Sequence, residues 1–122
     1  MADMPYAIAL QRDLTETERT LISFLLQQEA PERLPQLGNL KVVGRCGCGK
    51  CPTVLLGQSQ QSEPKLGPFK ELANYVGKTT TGMVVGVALI EREDELAELE
   101  AWSPRGDDVS QWPDVASLER AS

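Results

Sequence analysis

The pattern of apolar and polar positions predicts one amphipathic helix near the start of the chain. Thr15 followed by Glu18 three residues later is typical of a capping box at a helix N-terminus. Pro31 has no N–H to donate within a helix and pushes the preceding residue toward extended geometry. We therefore expect a helix over residues 15–29. Its apolar stripe, at helical spacing, is formed by Leu21, Ile22, Leu25 and Leu26.

Three further segments are predicted as strands of a buried sheet. Residues 40–45 and 53–56 are β-prone and are separated by a short segment rich in glycine and cysteine, which indicates a hairpin with an elaborate tip. Residues 83–90 are apolar on both alternating faces. That pattern is typical of a central strand covered on both sides.

The stretch 91–102 predicts a charged turn followed by a last strand. Residues 91–95 are all charged and are expected to form the turn, whereas residues 96–102 alternate between apolar and acidic side chains. This alternation is the period of a half-buried strand. The side chains expected to face the core are Ala97, Leu99 and Ala101, and those expected to face solvent are Glu98 and Glu100.

The other segments have less regular patterns. Residues 57–68 are rich in Gln, Ser, Gly and Pro and indicate a surface loop. Residues 69–76 indicate a short helix or turn that stops at Gly77. Trp102 and Trp112 are expected to pack in the core or the tail, which is more common for tryptophan than anchoring a partner.

These elements define the predicted fold class. We expect an α+β fold with an antiparallel sheet of about four strands and the N-terminal helix packed on one face. At 122 residues the chain has the size of one ordinary domain, so residues 1–122 are assigned to a single domain.

Charge is distributed unevenly along the chain, whose net charge is −6. Residues 91–122 hold ten acidic and three basic residues, whereas residues 1–90 hold eight acidic and nine basic ones. The acidic third would repel a polyanion, so we expect no nucleic-acid partner. Its acidity is expected either to serve solubility, with an exposed hairpin at 91–100, or to make that acidic hairpin the contact surface for a basic protein partner.

Several features predict a cytoplasmic protein. The longest strongly apolar run, residues 83–90, has the length of one strand and is too short to span a membrane, so no membrane partner is expected. The first residues lack the basic and apolar regions of a secretory signal. Three cysteines, an odd number, do not suit a secreted disulfide framework, and reduced thiols fit better.

Catalysis is not expected. The chain contains no histidine, which removes the commonest general base and the commonest neutral metal ligand. No serine or cysteine is paired by its spacing with a residue that could serve as its base. We therefore predict a protein that is not an enzyme and has no catalytic residues.

The segment 46–52, Cys-Gly-Cys-Gly-Lys-Cys-Pro, combines a C-x-C with an overlapping C-x-x-C. A Gly-rich turn of this kind lets backbone amides approach thiolates, as in a zinc knuckle, but a closed zinc site needs four ligands. A thioredoxin-like pair would place the C-x-x-C at the start of a helix, whereas β-prone residues 53–55 follow here. The third interpretation is that small residues shape a tight hairpin tip.

We expect a thiol site at this tip without a bound metal or other cofactor, because three soft ligands and no histidine fall short of a closed zinc site. Zinc completed by an acidic residue or a second subunit, and redox chemistry, stay open as alternatives. The oligomeric state is left open. The predicted binding residues are Cys46, Cys48 and Cys51.

The order of these motifs resembles a group of small bacterial proteins. The resemblance rests on the Leu-Thr-x-x-Glu helix start at 14–18, a CxCG(x)CPT segment at 46–53 and Trp112-Pro113 near the C-terminus. Lys50 makes the cysteine segment longer than the CGCP form expected in that group. The resemblance implies a bacterial cytoplasmic protein and no particular activity.

Two functional hypotheses follow. The first is a non-catalytic protein-interaction module of the immunity or adaptor type, which presents the acidic hairpin to a basic protein. The second is a cysteine-cluster protein that works by thiol redox chemistry or by zinc binding.

Overall fold

The computed structural model describes residues 7–48, 50–59 and 67–121. They form an α+β fold in which one α-helix lies on a seven-stranded antiparallel sheet. The elements in chain order are β1 (Ala7–Asp13), α1 (Glu16–Glu29), a 3-10 helix (Pro31–Asn39), β2 (Lys41–Cys46), β3 (Val54–Gly57), β4 (Lys70–Lys78), β5 (Val84–Arg92), β6 (Glu95–Trp102), a short 3-10 helix (Val115–Ser117) and β7 (Glu119–Arg120).

The sheet has the order β1-β2-β3-β6-β5-β4-β7. It consists of two three-stranded meanders, β1–β3 and β4–β6, which join where β3 pairs with β6. The register at this junction places Val54 opposite Leu99 and Leu55 opposite Glu98. Strand β7 adds a short edge beside β4.

The predicted antiparallel sheet is confirmed, but the predicted count of about four strands is too low. The four predicted strands correspond to β2, β3, β5 and β6. The short helix or turn predicted over 69–76 is wrong, because this stretch lies within and just before β4. Its register with β5 runs from Lys70 opposite Glu91 to Lys78 opposite Val84, so cross-strand pairing overrides local helical preference.

The predicted helix and its capping box are confirmed, and the helix follows a strand. The Glu18 N–H donates to Thr15 Oγ1 at 3.1 Å, and the Thr15 N–H donates to Glu18 Oε1 at 2.9 Å. Arg12 of β1 donates to both carboxylate oxygens of Glu18, at 2.8 and 2.9 Å. These bonds satisfy helix-end amides and fasten the start of α1 to the edge strand.

The main core lies between α1 and one face of the sheet. All four residues of the predicted apolar stripe are almost fully buried there. Burying one such side chain contributes about 1.5–3 kcal/mol relative to leaving it in water, so the helix is held mainly by this stripe. The sheet residues that belong to this core include Val42, Val54, Leu56, Val87, Leu89, Leu96 and Leu99.

Glu98 lies on the face of the sheet opposite the main core, and this face is not exposed to solvent there, although the sequence predicts that it is. Glu98 is only 8% exposed, and Arg92 Nη1 donates to Glu98 Oε1 at 3.0 Å. Arg92 Nε also donates to the Gly67 carbonyl at 3.3 Å, and its guanidinium lies 5.4 Å from the centre of the Phe69 ring. The expectation fails because the chain entering β4 packs over Arg92, so charge pairing replaces water around Glu98.

Glu100 is half-buried on the same face as Glu98. Burial raises the pKa of the Glu100 carboxyl, and the charges of Glu98 and Glu71 raise it further, while Arg92 opposes them. The folded protein therefore holds the Glu100 proton more tightly than the unfolded chain does. By linkage, the ionisation of Glu100 costs stability as pH rises from the unfolded pKa through the folded pKa.

We predict that Glu100→Gln stabilises the protein at pH 7, because the amide carries none of the charge that burial and the carboxylates of Glu98 and Glu71 disfavour. The gain should fade below about pH 4, where this carboxyl is protonated in the folded and the unfolded state. Thermal unfolding at several pH values measures this. Asp108→Asn, at an exposed position, is the matched control and should change stability by less than about 0.5 kcal/mol. If Glu100→Gln were no more stable than the wild type at pH 7, the claim that ionisation of Glu100 costs stability would be contradicted.

The predicted charged turn is confirmed as a two-residue connection between β5 and β6. Glu93 and Asp94 both have positive φ, 53° and 64°. A turn of this kind favours Asn-Gly, because other side chains are strained there. The 3-10 helix holds the turn: Arg33 Nη1 donates to the Asp94 carbonyl at 2.7 Å, and Arg33 also forms an ion pair with buried Glu91.

We predict that the double variant Glu93→Asn/Asp94→Gly raises the free energy of unfolding by about 1 kcal/mol, because it relieves left-handed strain at both positions. Urea denaturation measures the change. Asp108→Gly is the control of opposite sign, because its φ is not positive and added glycine entropy should destabilise. An unchanged or lowered midpoint for the double variant would rule out turn strain.

The two tryptophans pack, as expected. Trp112 lies against the main core, and the Trp102 indole covers Gly86 so closely that a side chain at Gly86 would collide with the ring. Trp102 Nε1 also donates to Asn74 Oδ1 at 2.9 Å. Of the loop predicted over 57–68, residues 60–66 lie outside the described residues.

Candidate functional site

The cysteine segment forms the tip of the β2–β3 hairpin, as its sequence predicts. Cys46 is the last residue of β2 and lies opposite Ala7 of β1. Its N–H donates to the Thr53 carbonyl at 3.3 Å and closes the base of the tip. Cys46 is therefore held by strand pairing, whereas Cys48 and Cys51 belong to the turn beyond it.

The three cysteines predicted as a thiol site converge. Their Sγ atoms all lie within 4.8 Å of one another, and the Sγ atoms of Cys48 and Cys51 are 3.3 Å apart. In a tetrahedral site with metal–sulfur bonds of about 2.3 Å, two sulfurs are separated by about 3.8 Å. The closest pair is nearer than that separation and the 4.8 Å limit is longer, so changes of up to about 1 Å in the sulfur–sulfur distances would place all three around one ion.

Backbone amides of the turn point at one sulfur. The N–H groups of Lys50 and Cys51 each donate to Cys48 Sγ over 3.4 Å. Two donors on one sulfur stabilise its thiolate form, because hydrogen bonds to a charged group favour that group's ionised state. The turn therefore supplies the knuckle geometry that the glycine-rich sequence indicates.

Two of the three thiols, those of Cys46 and Cys48, differ in acidity. The amides of Cys51 and Lys50, followed by the neighbouring thiols, lower the pKa of exposed Cys48 to about 6. Burial, followed by the neighbouring sulfurs, raises the pKa of half-buried Cys46 to about 11, although the Cys48 amide opposes that rise. Without a bound cation, Cys48 therefore favours its thiolate form at neutral pH, whereas Cys46 retains its proton.

The acidic hairpin at 91–100 exposes fewer carboxylates to a partner than its sequence indicates. Glu91 and Glu98 are buried beside arginines from inside the chain, Arg33 and Arg92. The exposed acids of this hairpin are at its turn, Glu93 and Asp94. The structure thus gathers the cysteines into one site, whereas it spreads the acids over the turn and both faces of the sheet.

A groove that the sequence does not indicate lies between the start of α1 and the C-terminal segment. Its volume is about 870 Å³, and its walls include Glu16, Thr80, Trp112 and Asp114. The carboxylates at its rim disfavour an anionic ligand at this helix N-terminus. Only the tertiary fold brings these distant segments together, so no sequence motif could have identified it.

The chain matches no family model, no curated protein and no solved structure. Within the described ranges, none of the helices has the length and apolar character needed to cross a membrane. The geometry of the site therefore has to support any functional proposal.

We predict that Cys48 is the fastest thiol to react in the reduced, metal-free protein. At pH 7 iodoacetamide should modify Cys48 on the order of tenfold or more faster than Cys46, because the pKa of Cys48 is about 6 and that of Cys46 about 11. The Cys48 rate should rise with pH around 6 and then level off. Peptide mass spectrometry at timed intervals measures both rates.

The control for this reactivity is the same protein in denaturant, where the three thiols lose their different surroundings and should react at similar rates. If Cys46 and Cys48 were modified at equal rates in the folded protein, the amides of the turn would not be stabilising a thiolate.

Proposed function

We propose that this protein is a thiol-site protein that binds a soft metal ion through Cys46, Cys48 and Cys51. The observation that carries the proposal is the convergence of three sulfurs within 4.8 Å of one another. A disulfide needs two sulfurs and a tight turn needs none, so three converging thiols favour metal coordination over the other two interpretations. Thiolate sulfur selects zinc, monovalent copper and iron–sulfur clusters among biological metals.

The rigidity of the hairpin base supports the proposal. Cys46 is fixed by backbone pairing on both sides, to Ala7 of β1 and to Thr53 across the hairpin. The amide bonds to Cys48 fix the turn. A site held in shape before the ion arrives loses little conformational entropy on binding.

Charge also supports a cation at the tip. Three thiolates within 4.8 Å of one another repel strongly unless a positive charge lies among them. Arg45 and Lys50 lie next to the ligands in sequence, and their positive charges would offset the negative charge that remains when three thiolates surround one ion. A metal ion would therefore replace the protons that the free site retains, and binding should release protons to solvent.

The exposure of the tip favours a metal-handling role over a structural one. Cys48 is exposed, while Cys46 and Cys51 are half-buried. A partner thiol can therefore reach the bound ion and exchange ligands with it. The main core lies between α1 and the sheet, so the fold should persist when the ion leaves.

The proposed setting is a bacterial cytoplasm, where thiols stay reduced. The interaction module with a basic protein partner stays a prediction from the sequence. The exposed acids that would carry such a surface include Glu93, Asp94, Asp107 and Asp108.

The test is reconstitution of the reduced protein with zinc, and with cobalt(II) as its spectroscopic substitute, followed by gel filtration and elemental analysis. We predict one ion per chain, thiolate-to-cobalt charge-transfer absorption, and proton release on binding. Cys48→Ser should abolish tight binding, whereas Met83→Ser removes an exposed sulfur outside the cluster and should bind like the wild type.

Binding should raise the unfolding temperature and chelation should return it to the metal-free value without unfolding the chain. An ion at 1,000 times its Kd stabilises by about 4 kcal/mol. The proposal is overturned if the protein, with all three thiols shown to be reduced, retains no soft metal after gel filtration.

A further inference from the structure

We infer that the ion carried by this site is monovalent copper, bound by three sulfurs with Cys46 as the third ligand. The inference rests on the proposed function, because it requires a soft-metal site at the hairpin tip. It adds the identity of the ion, its coordination number and the role of the strand cysteine.

The ligand set matches the ion in softness. Every ligand of the cluster is a thiol sulfur, and the chain contains no histidine to supply a harder nitrogen. Monovalent copper is the soft ion of the first transition row and favours thiolate and thioether sulfur. Zinc is borderline and also accepts imidazole and carboxylate ligands.

The ligand number matches as well. Zinc in a closed site takes four ligands, whereas monovalent copper is satisfied by three sulfurs in a plane. At copper–sulfur bonds of about 2.3 Å, a trigonal arrangement separates the sulfurs by about 4 Å, between the observed 3.3 Å and the 4.8 Å limit. The three cysteines thus complete the coordination of copper by themselves.

Cys46 is the residue that distinguishes this site from a two-sulfur site. The pair Cys48 and Cys51 alone could hold an ion in linear coordination. Cys46 adds a sulfur from the end of β2, at a position that strand pairing fixes beside the pair. A third ligand supplied by the sheet increases affinity without further ordering of the turn.

Binding and transfer need no redox step. The cysteines bind copper as thiolates, so the protons that the free site still carries leave as one monovalent copper ion binds, and the copper stays monovalent. Exposed Cys48 is the ligand most open to replacement by an incoming thiolate. Stepwise exchange of one copper–sulfur bond for another would then pass the ion to a thiol-bearing acceptor, and each released cysteine returns to its own protonation state in exchange with solvent.

The test measures copper affinity anaerobically, by competition with the chromophoric chelator bathocuproine disulfonate. We expect Cys46→Ser, Cys48→Ser and Cys51→Ser each to weaken copper binding on the order of tenfold or more, and Met83→Ser to leave it unchanged. X-ray absorption of the copper-loaded wild type should show three sulfurs per copper, and loading should not change the oligomeric state of the protein.

A conservative variant separates ligation from folding. Cys46→Met places a thioether near the same position, and thioether sulfur suits monovalent copper but not zinc. We therefore expect this variant to recover copper affinity relative to Cys46→Ser while zinc affinity stays low. Circular dichroism of each metal-free variant shows whether its fold is intact.

The outcomes also separate the two claims. Copper bound by two sulfurs, with Cys46→Ser binding as tightly as the wild type, overturns the three-sulfur assignment but leaves the metal-site proposal in place. A second result would lead to the same conclusion. In it, the protein holds zinc with a fourth ligand from a second copy or from elsewhere in the chain, and its copper affinity does not depend on Cys46. Retention of neither ion by the reduced protein overturns both claims.

Discussion

The pairing of β3 with β6 is the interaction on which the arrangement of this protein depends. It is short, with Val54 opposite Leu99 and Leu55 opposite Glu98, and the Ala101 N–H extends it by donating to Thr53 Oγ1 at 3.0 Å. Side chains of β3 are buried on both faces of the sheet. Independent stability in water needs several strands that share an apolar face, so this junction, which joins the two halves into one sheet, lets each half stabilise the other.

The β2–β3 hairpin that carries the cysteines is held in place by that junction. Its second strand, β3, is buried along its whole length and pairs with β6. Its first strand, β2, ends at Cys46. The tip carries its own hydrogen bonds to Cys48, and none of its described residues belongs to the main core. In a zinc finger, metal binding supplies the folding free energy, whereas here the core supplies it, so the proposed exchange of an ion at the tip would not require the chain to unfold.

Two carboxylates in the acidic third of the chain are neutralised by ion pairs with arginines of the same chain. Glu91 pairs with Arg33 from the long 3-10 helix, and Glu98 pairs with Arg92 on the opposite face of the sheet. Such partly or fully buried pairs fix the position of β5 and β6 more than they add stability, because desolvation offsets much of the attraction. A count of acids therefore overstates the charge that a partner would meet.

The sequence by itself determined the helix, its cap, four strands and the turn at Glu93, because a capping box, the hydrophobic period and an unbroken run of charged residues are local signals. It also marked the three cysteines, because their spacing keeps them on one short turn. Only the tertiary structure decided that residues 70–78 form a strand, since β5 supplies the hydrogen-bond partners of that strand. It also decided that Glu98 is buried and that the three sulfurs converge, because burial and distance depend on segments far apart in the chain and on how the turn closes.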